Sequence, residues 1–252
     1  MLTDESFLRY QRQVQLPEIG EQGQQALQQA RVLIIGAGGL GAPAALYLAA
    51  AGVGSLVIAD GDKVERSNLQ RQIIYRDDNQ GESKAQAAVA QVKALNPLIR
   101  ARAVTARLVK LQLAMEISLA DVVLDCTDNF ASRHAINQAC FEHGKRLISA
   151  AAIRWQGQLM SFDFRAQQGP CYHCLFPEGD MQAPQNCSES GIAGPVVGIM
   201  GTFQALQAVK AITDSGDLCV RQFRQFDGLS LQWQQFALPA NPQCPVCSKE
   251  SL

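Results

Sequence analysis

The amino-acid sequence predicts an α/β protein built on a doubly wound, mainly parallel sheet. Short apolar segments typical of buried strands alternate with helix-like segments through the first 153 residues. The first of these strands runs directly into a glycine-rich turn, GAGGLG, and the second ends at Asp60. A strand, a glycine turn, a helix and an acidic strand end, in this order, are typical of a Rossmann-like nucleotide-binding unit.

The hydrophobic pattern gives the elements of the first half in order. A helical arm is expected over residues 1–30, with a turn around residues 17–20. Strands are expected at residues 31–36, 55–60, 101–106, 121–125 and 146–152. Helices are expected at residues 42–51, 83–95 and 131–143.

The pattern changes after residue 153. Strand-like segments at residues 158–164, 219–226 and 231–238 are predicted to form an antiparallel extension of the sheet. A polar loop at residues 177–190 and a helix near residues 195–212 lie between them. We therefore expect one domain over residues 1–252, made of the arm (1–30), a Rossmann-like nucleotide-binding half (31–153) and a second half (154–252).

The composition excludes some classes of function. The chain has 252 residues, 47% of them hydrophobic, which is enough for a full-sized core. Its formal net charge of -1 provides no basic field for nucleic acid or an anionic membrane. Residues 32–59 carry no charge, but six glycines interrupt them, so we interpret them as strand, turn, helix and strand and not as a membrane span. The acidic, polar start is unlike a secretory signal, and we expect a cytoplasmic protein with reduced cysteines.

The glycine turn predicts phosphate binding. Backbone N–H groups at a helix start attract anions, and phosphate oxygens can approach closely where side chains are missing, as at Gly36, Gly38, Gly39 and Gly41. Asp60 lies where an acidic group meets ribose hydroxyls in such units. The alternative is a tight turn with no ligand, and the turn by itself suits NAD as well as ATP.

The polar loop after Asp60 favours ATP. It adds an amide, Asn68, and a guanidinium, Arg71, and Lys84 follows near the start of the next helix. Cations aimed at a leaving pyrophosphate would stabilise the charge that develops there, whereas a dehydrogenase needs only the acidic residue. Taken one by one, Arg71 and Lys84 could equally be solvated surface charges.

The strand at residues 121–125 is followed by Cys-Thr and then Asp128 and Asn129, at the strand end where such sheets form a ligand crevice. Asp128 is a candidate ligand for Mg²⁺ on the phosphates, and Asn129 lies beside it in the candidate nucleotide site. The alternative is that Asp128 caps the following helix. The expected chemistry needs no protein nucleophile, because a substrate carboxylate can attack the α-phosphate of ATP directly.

Four cysteines predict a metal site. Cys171 and Cys174 form one C-x-x-C pair, and Cys244 and Cys247 form another near the C-terminus. Four thiolates suit tetrahedral Zn²⁺, and a closed set with no water position is structural. Disulfides or redox pairs are the alternative, disfavoured in a reducing compartment.

Cys187 has no partner at metal spacing and lies in the polar loop. An unpaired thiol in such a loop is a candidate nucleophile, and an incidental surface cysteine is the alternative.

The chain resembles the ThiF/MoeB/HesA family, the bacterial relatives of ubiquitin-activating enzymes, from about residue 5 to residue 248. The resemblance rests on R-Y-x-R-Q at 9–13, GAGGLG at 36–41, D-x-D-x-V-x-x-S-N-L-Q-R-Q at 60–72, L-D-C-T-D-N at 124–129, the two C-x-x-C pairs and G-P-V-V-G at 194–198. It implies ATP with Mg²⁺, acyl-adenylation of a ubiquitin-like sulfur-carrier protein ending in Gly-Gly, a sulfur-donor enzyme and a homodimer.

The resemblance also implies residue roles. Asp128 would hold the magnesium ion, Arg12 would reach the ATP of the other subunit, and Cys187 would form a covalent link to the carrier. The second half would bind the carrier and contain the zinc site. The residues that would line the ATP site are Gly39, Gly41, Asp60, Asn68, Arg71 and Lys84.

Two stretches, at residues 194–210 and 226–233, are similar to the branch that activates the sulfur carrier for the thiamin thiazole. Residues 151–158 are closer to the activator of the molybdopterin-synthase carrier, which is the alternative within the family. Outside the family, the rivals are an NAD-dependent oxidoreductase and a non-catalytic scaffold that keeps the fold and the zinc.

Overall fold

The computed structural model of the protein describes residues 2–178 and 191–248 and contains one eight-stranded mixed sheet in those ranges. The spatial order is β3-β2-β1-β4-β5-β6-β7-β8. Neighbours from β3 to β5 are parallel, and those from β5 to β8 are antiparallel, as the change of pattern after residue 153 predicts. The strands are β1 (Arg31–Ile35), β2 (Ser55–Ala59), β3 (Arg100–Val104), β4 (Val122–Asp125), β5 (Arg146–Ile153), β6 (Gln156–Asp163), β7 (Gln222–Asp227) and β8 (Gln232–Ala237).

Helices cover both faces of the parallel part. The helices are α1 (Asp4–Val14), α2 (Gly20–Gln29), α3 (Gly41–Ala50), α4 (Lys84–Leu95), α5 (Lys110–Ser118), α6 (Phe130–Glu142), the single turn α7 (Tyr172–Leu175) and α8 (Gly194–Thr213). One core lies between the sheet and α3, α4 and α8, and a second lies between the sheet and α5 and α6. The helices expected at residues 83–95 and 131–143 are confirmed to within one residue at each end.

The central strand explains why the strand segments are apolar without a break. Val32 and Ile34 of β1 point into the first core, and Leu33 and Ile35 point into the second. A strand covered on both faces has no solvent side, so its sequence does not alternate between apolar and polar residues. The uncharged stretch at residues 32–59 is therefore β1, the glycine turn, α3 and β2, as expected.

Helix α5 is an element that the sequence analysis missed. It buries Leu113 and Ile117, but Leu111 is 85% exposed and Met115 is 52% exposed. Because apolar side chains point both inward and outward, the segment lacks the one-sided pattern that identifies an amphipathic helix.

Helix α8 runs along the first core. By length and apolar composition it would also suit a membrane span, but half of its apolar window is buried, and it packs on α3 and β5. Its Gln204 is fully buried and donates hydrogen bonds to the carbonyl oxygens of Asp125 at 2.8 Å and Ile148 at 3.0 Å. This amide therefore locks β4 and β5 to the helix.

A buried carboxylate ties the missed helix to the sheet. Glu116 of α5 is 3% exposed, and its Oε2 lies 3.0 Å from Nη2 of Arg31 and 2.6 Å from Nη2 of Arg102. A buried charge with two charged hydrogen-bond donors is costly to disrupt, because removing one member leaves the others poorly solvated.

We expect Glu116→Ala to lower the free energy of unfolding, because both arginines lose their charged partner. The loss should be limited to about 2 kcal/mol, since the two half-exposed arginines recover part of their hydration. Urea denaturation followed by circular dichroism would measure the change. Glu21→Ala, at an exposed position of α2, is the control and should change stability by less than about 0.5 kcal/mol. Equal, small changes in both variants would show that the ion pairs contribute nothing.

Candidate active site

A large cavity lies at the carboxyl ends of the parallel strands. β1 and β4 are neighbours, yet the chain leaves them toward opposite sides of the sheet, so a crevice opens between their ends. The cavity has a volume of about 1020 Å³ and is lined by the turn after β1, the loops after β2 and β4, and the ends of β5 and β6. A volume of this size accommodates a nucleotide and part of a second substrate.

At two of the four predicted glycines of the turn, neighbouring protein atoms leave no room for a side chain. Gly36 has a φ of +97°, and a Cβ there would lie 2.6 Å from the carbonyl oxygen of Cys126. A Cβ at Gly41 would lie 1.9 Å from the carbonyl oxygen of Gly36. These two glycines let the turn fold tightly between β1 and the loop after β4.

The other two predicted glycines differ from each other. A Cβ at Gly39 would press on the Val197 side chain of α8 at 3.0 Å. At Gly38 the nearest atom would be 3.6 Å away, an ordinary contact with Gln72. The fold therefore leaves room for a side chain at Gly38, and close approach of a ligand to this backbone would explain the glycine.

Asp60 ties the glycine turn to β2. Its Oδ2 accepts a hydrogen bond from the Ala37 N–H at 2.7 Å, and its Oδ1 accepts one from the Asp62 N–H at 2.8 Å. Burial raises the pKa of this carboxyl above its ordinary value, and the two backbone hydrogen bonds oppose that shift. Asp60 also lines the cavity, as predicted for the acidic residue at this strand end.

Asn68 and Arg71 both line the cavity. Asn68 is the last residue of the short 3₁₀ segment Arg66–Asn68, and Arg71 lies just after this segment. Asn68 is buried, and its Oδ1 accepts a hydrogen bond from the Glu65 N–H at 3.2 Å. Arg71 is half-buried and donates from Nη1 to the carbonyl oxygen of Ser67 at 3.1 Å. The loop conformation thus brings an amide and a guanidinium to one wall.

Lys84 is the first residue of α4, and its side chain is only 9% exposed. Its Nζ lies 3.2 Å from Oδ2 of Asp62, and its backbone N–H donates to the Asp62 carbonyl oxygen at 3.0 Å. The interpretation of Lys84 as a solvated surface charge is therefore wrong. A buried ammonium that lines a cavity and has an exposed carboxylate as its ion-pair partner is suited to an anionic ligand.

The loop after β4 shows whether Asp128 caps the following helix or is available to bind a cation, which the sequence left open. Asn129 is the N-cap of α6, since its Oδ1 accepts a hydrogen bond from the Ser132 N–H at 2.9 Å. Asp128 is exposed at the cavity, and its Oδ1 accepts a 3.3 Å hydrogen bond from Nδ2 of Asn129. The capping alternative for Asp128 is therefore wrong, and its carboxylate suits a cation bound with phosphate oxygens.

Two buried residues of the site were missed. Asp125 accepts hydrogen bonds from the Thr127 N–H at 3.0 Å and from Ser149 Oγ at 2.8 Å, which fixes the loop that carries Asp128. Gln72 lines the cavity beside Gly38, and its buried Oε1 has no hydrogen-bond partner among the described residues. The D-x-T spacing could have indicated the first, whereas nothing local distinguishes Gln72.

Arg12 does not reach this cavity within its own chain. It is exposed in the last turn of α1, which packs at the opposite ends of the strands. There, Tyr10 lies under Gly52 of the turn before β2, and Arg9 donates a hydrogen bond to the carbonyl oxygen of Leu95, before β3. The structure therefore separates Arg12 from the other predicted site residues. The predicted nucleophile Cys187 lies outside the described residues.

The four predicted metal ligands come together within the second core and at its edge. The sulfur atoms of Cys171, Cys174, Cys244 and Cys247 all lie within 4.8 Å of one another. Cys171 Sγ is 3.6 Å from Cys244 Sγ, and Cys174 Sγ is 3.4 Å from Cys247 Sγ. Four sulfurs at about 2.3 Å from a tetrahedral Zn²⁺ would be about 3.8 Å apart, so the set fits zinc.

The surroundings of the cluster suit thiolates. The Asn241 N–H donates to Cys174 Sγ at 3.4 Å, and Nδ1 of His173 lies 3.8 Å from Cys244 Sγ. Cys171 and Cys244 are fully buried, which suits a closed structural site.

Comparison with known proteins shows the family. The sequence profile of the ThiF family matches residues 10–246. The chain is 48% identical to the sulfur carrier protein ThiS adenylyltransferase of Escherichia coli, over 98% of this chain and 97% of that protein. It is 40% identical to the SAMP-activating enzyme E1 of Haloferax volcanii, over 96% of this chain and 88% of that protein.

A solved structure shares the fold. The crystal structure of E. coli MccB with ATP matches with a TM-score of 0.75, at 20% identity, over 90% of this chain and 68% of that chain. At this identity the likeness concerns the fold alone.

The zinc site gives a testable expectation. The protein should contain about one zinc per chain, and Cys244→Ser should lose the metal and melt at a lower temperature, because four thiolates hold a structural ion. Elemental analysis and thermal denaturation would measure both. Cys219→Ser, at a buried cysteine outside the cluster, should keep the zinc. A folded wild-type protein without metal would rule the site out.

Proposed function

The chain belongs to the ThiF family, and on that premise we propose that it adenylates the C-terminal carboxylate of a ubiquitin-like sulfur-carrier protein ending in Gly-Gly, using ATP. The observation that carries the proposal is the convergence of three charged side chains on one cavity. Lys84 is buried there, Arg71 is half-buried, and Asp128 presents a carboxylate free of any capping role.

The chemistry assigned to these residues is charge stabilisation. A carboxylate oxygen of the carrier attacks the α-phosphorus, the bond from that phosphorus to the bridging oxygen breaks, and pyrophosphate leaves. Lys84 and Arg71 neutralise charge on the phosphates, and Asp128 would hold Mg²⁺, which shields the same oxygens. The glycine turn and Asp60 bind the phosphate and ribose, with Asn68 and Asn129 on the flanking walls.

The buried Lys84, which forms an ion pair with Asp62, argues against the alternative of an NAD-dependent oxidoreductase. A nicotinamide dinucleotide needs the glycine turn and Asp60, but it gives no role to a buried ammonium and a guanidinium beyond them. Burying Lys84 costs solvation free energy, and a triphosphate offers the compensating negative charge. The names of the two relatives, an adenylyltransferase and an activating enzyme, support the same choice.

For the pathway, we favour the carrier of the thiamin thiazole. Near full-length identity of 48% to an enzyme named for the carrier ThiS supports this branch. The molybdopterin-synthase carrier is the second candidate, on the residues at 151–158. In either case a sulfur-donor enzyme follows, Cys187 is the candidate for the covalent link to the carrier, and we expect a cytoplasmic location.

A homodimer would complete the site. Arg12 lies at the far ends of the strands from its own cavity, so only another copy could bring it to a nucleotide. Exposed apolar side chains on three helices suit such an interface, with Leu8 of α1 66%, Tyr47 of α3 58% and Leu206 of α8 50% exposed. We assign Arg12 to the ATP of the partner subunit.

ATP–pyrophosphate exchange with two carriers, one of the thiazole type and one of the molybdopterin type, tests the proposed function. We expect exchange with the thiazole-type carrier. Asp128→Ala should reduce it at least about a hundredfold, because a metal-binding carboxylate is lost while the helix cap at Asn129 remains.

Asp78→Ala, an exposed carboxylate outside the cavity, is the matched control. Exchange with the other carrier alone would move the protein to the molybdopterin branch. Exchange with neither carrier would favour the non-catalytic scaffold, and normal turnover of Asp128→Ala would remove the metal role of that residue.

Complementation tests the shared site. The Arg12→Ala and Lys84→Ala variants should each be inactive. When subunits of the two variants are mixed after mild dissociation, half of the dimers should contain one subunit of each, and each mixed dimer should have one intact site of its two. The mixture should therefore recover about a quarter of wild-type exchange. Exchange activity after mixing is the readout. No recovery, with dimers verified by size-exclusion chromatography, would mean that Arg12 acts within its own chain or not at all.

A further inference from the structure

A fully buried amide of α6 faces the cysteine cluster. Asn137 has no exposed surface, and its Oδ1 accepts a hydrogen bond from the Tyr172 N–H at 2.8 Å. Tyr172 lies between two of the cluster cysteines, Cys171 and Cys174. Asn137 therefore fastens this metal-binding segment to α6.

The nitrogen of the same carboxamide has no partner. Nδ2 of Asn137 is buried, and among the residues that the structure describes it finds no hydrogen-bond acceptor. Buried N–H donors in proteins are nearly always paired, because a donor taken out of water without an acceptor costs solvation free energy. An orphaned donor at this depth indicates an acceptor that the protein gains when a ligand binds nearby.

Cys171 is the group toward which this donor is directed. Cys174 and burial raise the pKa of the Cys171 thiol, and the amide of Asn137 opposes them because its N–H favours the ionised sulfur. A neutral thiol is a weak acceptor, whereas a thiolate bound to Zn²⁺ is charged and accepts strongly. Loading the cluster with zinc thus creates the acceptor that Nδ2 lacks.

The nearest backbone donors cannot take the place of this amide. The Tyr172 N–H donates to Asn137 itself, and the Cys174 N–H donates to the carbonyl oxygen of Cys171 at 3.1 Å. The sulfur of Cys174 differs, because the Asn241 N–H donates to it at 3.4 Å. Cys171 thus depends on a side chain for the contact that Cys174 receives from the backbone.

We propose that Asn137 is a positioning residue of the zinc site, whose Nδ2 donates a hydrogen bond to the zinc-bound thiolate of Cys171. One Zn²⁺ with four thiolates has a net charge of about −2, which is costly to bury unless N–H donors face the sulfurs. Hydrogen-bond partners of metal ligands fix the orientation of the ligand, and their loss weakens metal binding by about ten- to a hundredfold. The two ends of one amide then hold the Cys171 sulfur and the next backbone N–H in a fixed relation.

This contact also joins the metal to one wall of the cavity. Tyr172 and Phe176 of the metal-binding segment line the cavity, and so does Ile136 of α6. Asn137 follows Ile136 directly, so its amide connects the two elements that form this wall. The inference does not rest on the proposed function, because a structural zinc ion would need the same contact whatever the cavity binds.

Cadmium NMR tests the contact in the unaltered protein. The isotope ¹¹³Cd can replace zinc among thiolates, and a proton hydrogen-bonded to a metal-bound sulfur shows scalar coupling to the metal. A ¹H–¹¹³Cd correlation spectrum should show coupling to one side-chain amide proton of Asn137. The backbone N–H of Asn241 should couple as well and is the internal control. Coupling to Asn241 without coupling to Asn137 would overturn the proposal.

Zinc affinity, measured by competition with a chelator, gives the energetic test. Asn137→Ala should bind zinc at least about tenfold more weakly than wild type, because the thiolate loses its donor. Asn96→Ala is the matched control, since Asn96 is also fully buried and donates to Tyr10 Oη at 2.8 Å and to the Ala49 carbonyl oxygen at 2.6 Å. It lies just before β3, at the opposite edge of the sheet from β8, so its loss should lower stability and leave the zinc affinity unchanged.

Equal zinc affinities of Asn137→Ala and wild type would overturn the proposal. Equal losses of zinc affinity in Asn137→Ala and Asn96→Ala would also overturn it, because they would reflect a general loss of stability. If Asn137→Ala does not fold, the cadmium spectrum of the wild-type protein decides the question.

Discussion

The close approach of Gly36 to the carbonyl oxygen of Cys126 is the constraint on which the cavity depends. At this point the turn after β1 and the loop after β4 touch, and a single Cβ would separate them. The two strands are neighbours whose connections diverge, so the contact closes the floor of the crevice while its mouth stays open. The positions of the charged groups of the candidate site depend on this contact. Asp60 binds the same turn from β2, and Asp125 holds the other loop from beneath, so the two walls form a rigid frame.

Within that frame, burial determines how strongly the charges act. Tyr75 donates hydrogen bonds to the carbonyl oxygens of Ala37 and Lys84, at 2.7 and 3.2 Å, and so joins the glycine turn to the start of α4. Burial raises the pKa of the Tyr75 phenol well above its ordinary value, so this link stays protonated. The backbone of Lys84 is therefore held on both sides, and its side chain is buried and paired with Asp62. A cation fixed before the ligand arrives stabilises developing charge without reorganisation, which is where most of the electrostatic benefit in phosphoryl chemistry originates.

The sequence predicted the features that local patterns encode. Strands buried on both faces, the glycine turn and the paired cysteines each have a short-range signal, and all appear where expected. Helix α5 lacks such a signal because its apolar residues point in two directions. Gln72 and Gln204 could not be found either, since their importance comes from partners or cavities formed by distant segments. Asp128 and Asn129 were ambiguous for a different reason: either side chain could cap α6, and only the geometry of the loop assigns the cap to Asn129.

The zinc cluster and the outermost strand of the sheet are coupled through the chain that joins them. Cys171 and Cys174 follow β6, and Cys244 and Cys247 follow β8, so the four sulfurs fasten the last strand of the sheet to the segment after β6. β8 is an edge strand whose six residues are all exposed, and an edge strand with so little burial has little stability of its own. A metal that ties down its C-terminal end would restrict its fraying and keep β8 in register with β7. In this arrangement a structural ion would stabilise the outermost strand of the sheet.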